Sequence, residues 1–231
     1  MPIIDFQSIV EDLVRDDANQ ITNVQRDTAI VSAIERYSKD KPRTKVEDIA
    51  APGGSLLPLP VGWQADFSSL ATIEYPVGQV PPNLIPNNYW NMYQSPVGLT
   101  IQLYEALQSN VQCRLTFSIK HVLDDNQDTI PLGDREPVCC LAAASLCDQL
   151  AAFYSGSGDS TIKADSVEHQ SASKEYAARA AALRKRYLNE LGIDDKKNVA
   201  AAAVVSFDRG NSLGDQRLTH GRDYKAQRRR R

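Results

Sequence analysis

The chain has 231 residues, among them four cysteines and three histidines whose types could do chemistry. Cys139, Cys140 and Cys147 fall at packing positions on an Ala-rich helical segment. Cys113 belongs to an alternating, strand-like run. Free thiols placed this way read as buried structural groups, and the spacing does not resemble a secreted disulfide framework. His121, His169 and His220 are scattered, with no HExxH or CxxC…H arrangement to make a zinc site. Asp124-x-Asn126-x-Asp128 opens like a calcium loop. Thr129 then stands where the loop needs glycine, and Arg135 where it needs a closing glutamate, so the run reads as a polar turn. The glycines of APGGSLLPLP lack the Gly-Lys-Ser/Thr ending of a phosphate cradle, and no GxSxG elbow occurs. The sequence therefore predicts no catalytic residue, no cofactor and no metal.

Charge is the more informative property. The chain ends GRDYKAQRRRR although its net charge is −3. From Gly214 to Arg231, seven basic and two acidic residues give +5, which leaves −8 for the remainder. A segregated basic tail points to a polyanion or an acidic groove as partner.

The elements that must position these residues are legible in part. In DFQSIVEDLVRDD, Phe6, Ile9, Val10, Leu13 and Val14 make one apolar helical face. A second helix is predicted from an N-cap at Thr22 or Asn23, with Val24, Thr28, Val31, Ile34 and Tyr37 as its buried stripe and Pro42 as its end. A proline-rich stretch follows, from Ala50 to Pro96, and forbids long helices. Strand-like alternation marks LATIEYP at 70–76, then Leu99, Ile101 and Leu103, then Cys113, Leu115, Phe117 and Ile119. Helical texture returns at EPVCCLAAASLCDQLAAFYSG, with Pro137 in its first turn, Gly156 at its stop, and an inward side of Val138, Leu141, Ser145, Leu146, Gln149, Leu150 and Phe153. A last helix carries Tyr176, Ala180, Leu183, Tyr187 and Leu191 on one face and ends at Gly192. Beyond it the apolar residues are too few to fold alone.

The expected fold is mainly α, a four-helix bundle plus a small antiparallel sheet and an extended C-terminal arm. Residues 1–49 and 136–195 would form the bundle core, 50–135 a β-rich insertion, and 196–231 the arm. No apolar run approaches the ~20 residues of a membrane helix. The acidic start MPIIDFQSIVEDLVRDD is unlike a targeting peptide, so synthesis and use in a cytoplasm are expected.

Two segments carry a resemblance. VSAIERYSKDKPR (31–43) with VEDIA (46–50), and SVEHQSASKEYAARAAALRKRYLNELG, are similar to the head–tail connector (adaptor or head-completion) proteins of tailed bacteriophages. The resemblance covers residues 1–50 and 136–195. It implies a structural, non-enzymatic virion protein of the neck, made in the host cytoplasm and assembled as a ring, commonly of twelve copies. Such a ring sits between portal and tail and extends the channel through which packaged DNA passes without sequence-specific recognition. The implied partners are the portal protein, neighbouring copies, and the next neck or tail-completion protein met through the β-rich insertion. No membrane is implied. The C-terminal arm would anchor on the portal through Phe207, Leu213, Leu218, Arg222, Tyr224, Lys225, Arg228, Arg229, Arg230 and Arg231. The alternatives are a tail terminator or collar component, or a nucleic-acid-binding module with a basic arm.

Overall fold

The computed structural model describes residues 2–16, 19–96, 98–156 and 163–193. Helix α1 (Pro2–Val14) is followed by α2 (Asn23–Asp40). Thr22 closes a full capping box with Gln25 at the start of α2, and the helix stops two residues before Pro42. Seven strands follow: β1 (Arg43–Ala50), β2 (Gly54–Leu57), β3 (Leu70–Glu74), β4 (Leu84–Ile85), β5 (Trp90–Ser95), β6 (Gly98–Leu107) and β7 (Gln112–Ile119). Helices α3 (Arg135–Gly156) and α4 (Lys163–Leu191) complete the described chain.

This architecture corrects the expectation of a mainly α protein built on a four-helix bundle. The fold is mixed, with four helices and two antiparallel sheets, and no such bundle is formed. The helices instead gather around α3. Phe6, Val10 and Val14 of α1, Ala29, Ile30, Ala33, Ile34 and Tyr37 of α2, and Ala180, Leu183 and Tyr187 of α4 share one core with it. Val138, Cys139, Cys140, Ala142, Ala143, Ala144, Leu146, Cys147 and Leu150 of α3 are all buried. A helix buried on nearly every side must be surrounded, whereas each helix of a bundle keeps one face in water. Residues Leu132–Ser155 are in fact long and apolar enough to cross a membrane, contrary to the expectation from sequence. Here that stretch is the axis of the helical layer.

The expected stripe of α2 is displaced as well. Val24 and Val31 are exposed, while Ala29, Ile30, Ala33 and Ser38 are buried. On α3, Gln149 and Phe153 face outward.

The strands form a sandwich with its own core. One sheet runs β1-β7-β3-β4 and the other β2-β6-β5. Leu57, Ile101, Leu103 and Leu107 of the second sheet meet Ile73, Cys113, Leu115, Phe117 and Ile119 of the first. The alternation expected along β7 holds throughout, with Cys113, Leu115, Phe117 and Ile119 all buried. Gly53, at φ +89°, carries the chain from β1 to β2, and a Cβ there would lie 3.3 Å from the Ser109 Cβ. Few other residues could make that turn.

The chain enters the sandwich after α2 and leaves it at His121, and both points lie in one joint. The Tyr37 hydroxyl donates to Asp134 Oδ2 at 2.5 Å, and Lys41 Nζ pairs with the same oxygen at 2.6 Å. Ser38 Oγ accepts from the His121 amide at 3.0 Å and donates to the Ile34 carbonyl at 2.7 Å. The His121 ring lies 4.8 Å from that of Tyr37. Its two nitrogens contact the Thr129 and Lys41 carbonyls at 2.9 and 3.1 Å.

Candidate interaction surfaces

The sequence-predicted arm, from Phe207, Leu213, Leu218, Arg222, Tyr224 and Lys225 to Arg228, Arg229, Arg230 and Arg231, lies outside the described residues. So does His220.

The groups with chemical potential are committed to structure. Burial pushes the Cys113 and Cys140 thiols up to about 11 and Cys139 to about 12. Cys147 is raised as well, again chiefly by burial. A thiol is nucleophilic only as thiolate, so at neutral pH these four are packing groups. Asp124 Oδ1 accepts the amides of Asn126 and Gln127 at 2.8 and 2.6 Å, which makes the expected polar turn. Asp128 pairs with Arg135 at 2.5 Å. No cluster of three or more metal-ligating side chains occurs among the described residues. A groove of about 750 Å³ between α1 and the start of α2 has charged rims that pair with each other, Arg26 with Glu11, and Arg26 also pairs with its neighbour Asp27.

The sandwich presents two chemically opposite faces. The outer face of the β1-β7-β3-β4 sheet is charged and self-paired. Arg114 grips Asp48 bidentately at 2.7 and 2.8 Å and reaches Glu74 at 3.5 Å, linking three neighbouring strands. The Arg114 hydrogen bonds hold the Asp48 carboxyl below its usual range.

The β2-β6-β5 sheet is the reverse. Registers Asn91↔Gln102, Tyr93↔Thr100 and Leu56↔Gln102 put Leu56, Asn91, Tyr93, Thr100, Gln102 and Tyr104 on its outer face. None of these is charged. Leu56, Tyr93 and Tyr104 are exposed, and Tyr89 meets Tyr104 edge to face at 6.5 Å. Trp90 Nε1 and Asn91 Oδ1 are buried without hydrogen-bond partners, two such atoms on one strand. Depletion of charge with exposed tyrosines is a feature of protein–protein interface cores.

Sequence reasoning missed this surface, although a signal for it exists. Residues 75–104 contain no Asp, Glu, Lys, Arg or His, in a chain that is 24% charged. At the chain's average, that stretch would carry about seven charges.

No protein-family model matches the chain, and no curated protein matches it.

Proposed function

We propose that this chain is a structural component of a phage neck, a head–tail connector that works by assembly rather than by chemistry. In this reading copies of the chain form a ring beneath the portal, the C-terminal arm anchors the ring to it, and packaged DNA passes through the lumen. The next neck or tail-completion protein is met on the sandwich side. The observation that carries the reading is the segregation of charge, an acidic body of −8 followed by a tail of +5. The resemblance of the α2 exit and of α4 to connector helices supports it. So does the commitment of every described thiol to packing. A nucleic-acid-binding module fits less well, because an acidic body repels a polyanion that the tail would attract.

The test is a salt titration of binding to the portal protein, run beside one on plain duplex DNA, for the full chain and for a chain ending at residue 197. The full chain should bind portal and the shortened chain should lose most of that binding. Replacing Arg228–Arg231 by serine should weaken portal binding mainly at low salt, since exposed ion pairs are screened. Replacing Phe207, Leu213 and Tyr224 should weaken it at all salt concentrations, because apolar burial is not screened. A tail that raises DNA affinity and leaves portal binding unchanged would refute the anchor.

A further inference from the structure

A sheet edge offers unpaired backbone N–H and C=O groups to any passing strand, and proteins blunt such edges with charge, brevity, irregularity or a cover. Among the described residues, three of the four sheet edges are blunted. β1 carries Arg43, Lys45, Glu47 and Asp48, and Glu47 is tied to the covering loop through the Gly62 amide at 3.1 Å. β4 has two residues. β2 has four, and its register with β6 shifts between Gly54 and Leu56.

β5 is different. It keeps an unbroken register with β6 from Trp90↔Leu103 to Ser95↔Gly98 and stands last in its sheet. Every second residue therefore turns its N–H and C=O away from β6. Its sequence, WNMYQS, has no charge, and Met92, Tyr93 and Gln94 are exposed.

We infer that two copies of this chain pair through β5, antiparallel across a two-fold axis, joining their β2-β6-β5 sheets into one. The occupant follows from charge and from count. Residues near a two-fold axis meet their own copies, so any charge there would face a like charge. β5 lies wholly inside the charge-free run 75–104 and meets no such penalty. A head-to-tail contact would need a second open edge, and the other three are closed, so the pairing stops at two. With the axis centred on Tyr93, that residue faces its own copy and Met92 faces Gln94. The exposed Tyr93 extends the contact beyond the backbone. A contact through a single six-residue strand belongs to the weak, reversible class. The inference does not rest on the connector reading. If that reading holds, the pair is a state of the free chain that opens before a cyclic ring forms.

Sedimentation equilibrium of the full chain from low to high micromolar concentration should show a monomer–dimer equilibrium. Tyr93→Lys and, separately, Gln94→Lys should weaken the dimer several-fold or more while leaving circular dichroism and thermal unfolding unchanged. Mixing Tyr93→Lys with Tyr93→Glu copies should restore a heterodimer, which a merely misfolded variant would not do. Val46→Lys, on the edge strand of the other sheet, should leave the dimer intact. A chain that stays monomeric throughout would overturn the inference, as would a dimer indifferent to both β5 lysines. So would slowed β5 amide exchange that appears only when a different neck protein is added. Loss of the dimer with portal binding retained would leave the connector reading standing, so the two fail separately.

Discussion

Asp134 is the charge at the centre of the joint, and replacing it by asparagine tests how the turn before α3 is held to the end of α2. Its Oδ2 accepts from Tyr37 at 2.5 Å and from Lys41 at 2.6 Å. Tyr37 is fully buried, and burial together with the Asp134 bond raises its hydroxyl pKa, so it remains a donor at all working pH. A hydrogen bond to a charged acceptor contributes about 1.5–3 kcal/mol, whereas the half-exposed Lys41 pair adds only ~0–1. Asparagine keeps a carbonyl for Tyr37 but loses the charge, so D134N should cost about 1–3 kcal/mol. For a domain of this size that lowers the melting temperature by roughly 2–12 °C. Acid gives a second readout. Burial works to raise the Asp134 carboxyl, but the bonds from Lys41 and Tyr37 outweigh it and hold it below the ordinary value. A carboxyl depressed in the folded state contributes fully above its unfolded pKa of about 3.9 and loses that contribution as pH falls through its folded value. Thermal unfolding followed by circular dichroism should therefore show a loss on acidification that is smaller in D134N. Equal melting temperatures at neutral pH with parallel acid limbs would refute this account of the joint.

Two further outcomes are expected, beside the arm and β5 experiments above. Leu150→Ala, at a site 2% exposed beside α3's partners, should cost about 2–5 kcal/mol in urea unfolding, whereas Val31→Ala on the outer face of α2 should stay within about 0.5. In the native protein at neutral pH, all four thiols should resist an aromatic disulfide reagent, and all four should react once the chain is unfolded. Rapid native labelling would show that burial does not control them.

Local chemistry made part of the fold legible. The capping box at Thr22, the stop before Pro42, the glycine after α4 and the alternation along β7 are each fixed by neighbours in sequence. What escaped was set by tertiary surroundings. β1 reads RTKVEDIA, and its inward positions include Lys45 and Glu47, which pair with each other at 2.5 Å instead of showing an apolar face. β5 reads WNMYQS and has no alternation to detect. The α2 stripe escapes a reading by hydrophobicity because Val24 and Val31 face water, while packing in the core shared with α3 takes the smaller Ala29 and Ala33. α3 shows no preferred side because it has partners nearly all round. The interaction face was written in the sequence as missing charge, which a search for reactive residues passes over.

The Lys41 carbonyl and the His121 ring, 3.1 Å apart, mark where the chain departs for the sandwich and where it returns. Departure and return thus sit side by side, and the two cores on either side of them are built from separate sets of residues. Everything between these points can be exchanged for another domain with neighbouring termini without rethreading the helices. A lineage could lengthen, reshape or replace its displayed surface by such exchange while the helical layer kept its own packing.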